Sequence, residues 1–148
     1  MKVIMLLADS AQAINGKLYI LGGGWSIIDP NASPMAIAIK IEVPWDQTNT
    51  RHKLRLELVD QDDRPVTVST PMGDKPVELR SEFEAGRPAG IMPGVSLDVA
   101  LAINLAPIPL KPGSRYLWRC YINEAQVPDA ESAFSTREAR DVASGANL

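Results

Sequence analysis

The chain is poor in the residues that build metal and redox centres. It has 148 residues, with one cysteine, Cys120, and one histidine, His52. A lone cysteine excludes an intramolecular disulfide and a multi-cysteine zinc site, and fits a reducing compartment. A lone histidine excludes histidine-pair metal sites and HExxH chemistry within one chain. Basic excess is also missing: the formal net charge is -3, which argues against a general nucleic-acid footprint. No run approaches the roughly 18 apolar residues of a membrane span. Met1-Lys2 followed by residues 3–8 imitates a signal peptide, but the apolar stretch is too short and the basic region is one lysine. The expectation is a cytoplasmic protein with neither nucleic acid nor membrane as partner.

Catalytic signatures are equally scarce. There is no Gly-x-Ser-x-Gly elbow. Cys120 falls mid-strand beside Trp118, where a thiol is inert packing. His52 opens a strand and reads as a surface residue. No pair of acids stands out as a glycosidase pair. No enzyme and no cofactor is expected.

What is present is strand signal. Asn15-Gly16 lies between two apolar runs, and these residue types accept the positive φ of a type I′ hairpin turn. Residues 3–8 are apolar on both faces and predict a buried strand, with residues 18–21 as its return partner. Gly22-Gly23-Gly24 then leads into Trp25. With no helix signal after it, this run reads as a bend that lets Trp25 pack, not as a phosphate nest.

Clean alternation follows. Ile37, Ile39, Ile41 and Val43 share one face, and Ala36, Ala38, Lys40 and Glu42 the other. Leu54, Leu56 and Leu58 alternate with Lys53, Arg55 and Glu57, and residues 65–68 read as the returning half of a second hairpin. Val77, Leu79 and Phe83 alternate with charged residues. Leu97, Val99, Leu101, Ile103 and Leu105 form the most regular stripe, and the small residues between them predict a face closely covered by another segment. Tyr116, Trp118, Cys120 and Ile122 form one more.

Seven to nine strands without a long helix predict an all-β fold. The pattern is a single-domain antiparallel β-sandwich, Ig-like or jelly-roll-like, over residues 1–125. Residues 126–148 are expected to add a short strand at 132–135, one or two helical turns over 136–143, and a small polar tail.

Three groups are candidate sites. Trp45, on a loop after Pro44, is the best exposed stacking platform for a sugar or small ligand. Asp60, Asp62 and Asp63 crowd one loop and could assist with calcium, although the same residues suit an ordinary turn. Met72, Ile91, Met92, Ile108 and Leu110 lie in or beside loops, and together would make an apolar interaction surface. Asn15, Gly16, Gly22, Gly23, Gly24, Trp25 and Trp118 are read as structural.

The run Leu6-Leu7-Ala8-Asp9-x-Ala11-Gln12-x-x-x-Gly16-Lys17-Leu18-Tyr19-x-Leu21-Gly22-Gly23-Gly24-Trp25 is distinctive. With Val43-Pro44-Trp45-Asp46, the alternating 52–60 segment and Pro112-Gly113-x-Arg115-Tyr116-x-Trp118, it resembles a family of small bacterial and phage-associated proteins of unknown function. That resemblance supports one domain and implies no activity; if the protein is phage-derived, it implies a virion-associated place instead of a cytoplasmic one. The working expectation is a non-catalytic binding or structural module that contacts protein, either its own copies or an assembly partner such as a phage-like particle. The alternatives are a carbohydrate- or small-ligand-binding sandwich and a hydrolase without a recognisable motif.

Overall fold

Asn15 and Gly16 both adopt positive φ, +52° and +75°, the type I′ geometry whose twist matches the strands it joins. The computed structural model describes residues 1–30 and 34–139. In chain order its strands are β1 (Lys2–Ile14), β2 (Lys17–Gly23), β3 (Ile27–Ile28), β4 (Met35–Val43), β5 (His52–Asp60), β6 (Thr67–Thr70), β7 (Gly73–Pro76), β8 (Glu78–Phe83), β9 (Leu97–Leu105), β10 (Arg115–Ile122) and β11 (Ala125–Thr136). A single 3₁₀ turn, Trp45–Gln47, follows β4. The fold is all-β and sandwich-like, as the alternation predicts.

One sheet has the order β2-β1-β4-β9 and the other β3-β11-β10-β5-β8; β6 and β7 form a small separate hairpin. The inward stripes meet as expected. Ile37, Ile39, Ile41 and Val43 of β4 share one buried cluster with Leu54, Leu56 and Leu58 of β5 and Trp118 and Cys120 of β10. Each large aliphatic side chain buried there contributes about 1.5–3 kcal/mol.

Three pairings depart from the sequence reading. Residues 3–8 pair with β4, Val3 opposite Ile41 and Leu7 opposite Ile37; β2 instead takes the second half of β1, Ser10 opposite Leu21 and Ile14 opposite Lys17. Pairing with β4 ends at Ala8, and β2 takes over there and carries β1 through the polar residues Ser10 and Gln12. β5 lies between β10 and β8, with Leu58 opposite Trp118 on one side and His52 opposite Phe83 on the other. Residues 65–66 only touch β5 before β6 turns away to pair with β7. β11 runs for twelve residues where a four-residue strand is predicted. Its register with β10 shifts between Arg119 and Tyr121, and Asp129 has φ +62°, so the side-chain period is broken midway. The helical turns expected over 136–143 are not seen in residues 137–139, which have no regular structure. The remainder of that segment and the tail lie outside the described residues.

The glycine run does what the sequence suggests. Gly22 and Gly24 sit at φ +59° and +90°. Trp25 packs edge-on against Phe134, ring centroids 6.1 Å apart. Trp118 is fully buried.

The hairpin also changes face. Ala8 and Ala11 are three residues apart, a spacing that places side chains on opposite faces of a regular strand, yet both join one buried cluster with Ala36 and Ala38. Gly22 stands across from that step, and its left-handed backbone permits the switch. The hairpin thereby lays Ala11 and Leu18 over the outer side of its own sheet, against Ala36, Ala38 and Ala102. This is the covering segment that the small residues of β9 predict. Asn104 of β9 pins it: its Nδ2 donates to Ala11 O at 2.8 Å, and its Oδ1 accepts from Ala11 N at 3.2 Å.

Candidate functional site

The predicted ligand-binding residues do not converge. Trp45 lies in the 3₁₀ turn at the start of β5, and the aspartate loop lies at its end, nine residues away at about 3.3 Å each. Trp45 is half-buried, and the Arg87 guanidinium covers its ring at 3.9 Å. Arg87 is fixed there by donating from Nε to Thr48 Oγ1 at 2.7 Å and from Nη2 to Trp45 O at 2.8 Å. One face of the indole is therefore taken. Asp60 Oδ1 accepts the backbone N–H groups of Asp62 and Arg64 at 2.9 and 3.0 Å, the self-bonded turn that aspartate favours. Asp63 pairs with Arg119. Asp60 and Asp62 border a cleft of about 280 Å³ with Lys111, Arg115 and Tyr116. Among the described residues no three His, Cys, Asp or Glu side chains are grouped to hold a metal ion.

His52 corrects the sequence reading. It is buried, not on the surface. Nε2 donates to Gln47 O at 2.9 Å, Nδ1 accepts from Asn123 Nδ2 at 3.0 Å, and the ring lies against Phe83 with centroids 5.3 Å apart. Asn123 also receives the Lys53 N–H on Oδ1 at 3.0 Å. The histidine thus ties the start of β5 to the β10–β11 turn. Its position is in phase with the inward residues Leu54, Leu56 and Leu58, and that phase is the signal that places it inside. Cys120 is fully buried, and burial pushes its thiol from 9.0 up to about 11. Among the described residues, neither group lines any of the main clefts.

The loop residues predicted as an interaction surface separate. Leu110 is buried in the core and Ile108 packs partly against it, because the 106–112 segment folds over the end of the sandwich. Ile91 is half-buried. Met72 and Met92 are strongly exposed, but Met72 sits at the β6–β7 turn before β8 and Met92 in the connection after it.

The exposed apolar surface gathers elsewhere. Ten large hydrophobic residues are exposed among the described residues, and six of them belong to β1 and β2: Ile4, Leu6, Ile14, Tyr19, Ile20 and Leu21. Tyr19 is 54% exposed and Leu21 71%. A side chain at Gly23 would strike Ile20 and Leu6, so these two residues meet over the glycine. The apolar run 18–21 was legible in the sequence, but the outward direction of Tyr19 and Leu21, with Leu18 turned onto the alanines, depends on the face switch at Gly22.

The outer face of the five-stranded sheet is the opposite in character. Arg55 lies 3.9 Å over the Tyr121 ring, and the Tyr121 hydroxyl donates to Glu57 at 3.0 Å. Lost hydration, then the hydrogen bond and charge of Glu57, raise the Tyr121 phenol. Glu124 approaches both Arg55 and Arg80 at 3.4 Å, and Arg80 also meets Glu78 at 2.6 Å. Charges of both signs alternate across this surface.

Among the described residues, no helix is long and apolar enough to cross a membrane. Residues 3–131 match the profile of a family of unknown function (DUF6941), and the chain belongs to that family. No curated protein and no solved structure matches it.

Proposed function

We infer that the protein is a non-catalytic interaction module that contacts other protein through its β1–β2 hairpin. The observation that carries this reading is the concentration of exposed apolar side chains on those two strands. Exposed apolar side chains gathered on one element mark a place where a partner excludes water. Tyr19 is well suited to such a surface, since it offers a large apolar ring together with a hydroxyl that tolerates water. The hairpin is also held firmly enough to present these residues, through the alanine cluster beneath it and the Asn104 amide. Burial of both Cys120 and His52 supports a role without chemistry.

The test compares two faces of one protein in the cells that make it. A photo-crosslinking amino acid replaces Leu21 in one variant and Glu131 in another. Glu131 pairs with Arg119 on the charged sheet. Protein adducts are expected at position 21 and not at 131. Equal labelling at both positions, or none at 21, overturns the reading.

A further inference from the structure

The two main sheets expose four edges: β2, β9, β3 and β8. Three are guarded. β3 has two residues, β8 carries Glu78, Arg80 and Glu82, and β9 runs beside the 84–88 segment, which lines a cleft with Leu97–Ala100. Among the described residues, β2 lacks such protection. From Leu18 to Leu21 it has no charge and no proline, and short, charged or interrupted edges are how proteins usually prevent strand addition.

We propose that β2 pairs antiparallel with β2 of a second copy of this chain, across a two-fold axis at Tyr19. The proposal rests on the contact reading above and names its partner. The register follows from the hairpin. Ile14 opposite Lys17 is the closing hydrogen-bonded pair of the two-residue turn, and bonding alternates along the strand. The amides and carbonyls of Leu18 and Ile20 therefore point to the free edge. Pairing about Tyr19 sets Leu18 against Ile20 of the second copy, and Ile20 against its Leu18, with the two Tyr19 rings side by side. Such cross-strand aromatic and aliphatic pairs are favourable.

Charge selects a second copy over an unrelated strand. Lys17 is the one charged residue of β2. In this register it comes opposite Leu21 of the second copy, one residue from that copy's Gly22. The Asp9 carboxylate stands where a Gly22 side chain would be, leaning toward the free edge. Each lysine thus arrives beside an acid of the other copy, and the two-fold axis makes the pairing twice. The two lysines stay at opposite ends of the paired strands.

The purified full chain is examined by sedimentation velocity over a wide concentration range, with amide hydrogen exchange read at Leu18 and Ile20. The expected result is a monomer–dimer equilibrium in which both amides slow as the dimer forms. Lys17→Glu should weaken the dimer about tenfold, the scale of two partly exposed ion pairs. Lys17→Glu with Asp9→Lys should regain most of it. If Asp9→Lys disturbs the fold, Tyr19→Lys serves in its place and should abolish dimerisation while circular dichroism stays unchanged. A dimer whose Leu18 and Ile20 amides exchange freely overturns the proposal. So does a monomer at every concentration. If that monomer still forms adducts at position 21 with other proteins, the contact reading stands and only self-pairing fails. If it forms none, both fail.

Discussion

The two outer faces of this sandwich have opposite surfaces built on similar sheets. On the five-stranded sheet, Arg55, Glu57, Arg80, Glu124 and Tyr121 interlock through ion pairs, a hydrogen bond and a cation–π contact. On the four-stranded sheet the outer side is alanine where a hairpin of the same chain lies on it, and Lys40 pairs with Glu42 and Asp98 beyond the alanines. Ion pairs on an exposed face contribute about 0–1 kcal/mol each. Their main effect is to keep the face wet and unattractive to other sheets. The alanine part of the other face has no such chemistry and depends on close fit. Its cover then shows a new apolar surface to the outside. The lesson is that covering one apolar face moved the exposed apolar surface outward without removing it.

This contrast can be broken most severely at the fit itself. Ala38→Leu inserts a side chain where Ala38 is 2% exposed beneath the hairpin. Overpacking should cost about 3 kcal/mol in chemical denaturation and expose the hairpin to protease. Ala133→Leu on the opposite face, where residue 133 is exposed, should change stability by less than about 0.5 kcal/mol. Equal effects would mean that the hairpin does not cover the alanines.

The next largest effect comes from the inner side of the charged sheet. Burial raises the Cys120 thiol from 9.0 to about 11. The unfolded chain therefore gives up this proton first as pH rises, and deprotonation favours unfolding. This contribution should be intact below pH 9, then fall by about 2–3 kcal/mol as pH approaches 11. Cys120→Ala should remove that part of the pH slope in urea titrations. An unchanged slope would contradict a tightly closed core behind β10.

Asn104→Ala tests what pins the hairpin. It strips the N–H and C=O of Ala11 of their amide partner, and should cost about 1–2 kcal/mol with faster amide exchange at Ala11. The smallest expected change is on the charged side. Glu124 holds φ +67° in the β10–β11 turn, a conformation easier for glycine. Glu124→Gly gives up weak pairs with Arg55 and Arg80 and relieves that strain. Thermal unfolding should move by no more than about 1 kcal/mol, toward greater stability.

Much of this arrangement was legible because its residues repeat with a strand period. The inward stripes of β4, β5, β9 and β10, the Asn15-Gly16 turn and the covered alanine face all follow from it. What was hidden lay where the period breaks or where a partner decides. Asp9, Ser10 and Gln12 look like the end of a strand, yet β2 takes over from β4 as the partner and carries β1 through them. Pro128 and Asp129 interrupt β11 and conceal its length. Leu110 looks like a loop side chain because local sequence does not show the segment folding onto the core. The candidate site was the least legible part. Tyr19 and Leu21 were visible within an apolar run, but their outward direction comes with the change of face between Ala8 and Ala11, across from the left-handed Gly22.

The most direct test of the account is carbene footprinting of dilute and concentrated protein, read by residue. The account predicts that Tyr19 and Leu21 label strongly in dilute solution and lose labelling on concentration, while Lys53, Glu131 and Ala133 stay constant. Labelling of the two faces that falls equally, or Tyr19 and Leu21 already protected in the dilute monomer, would contradict it.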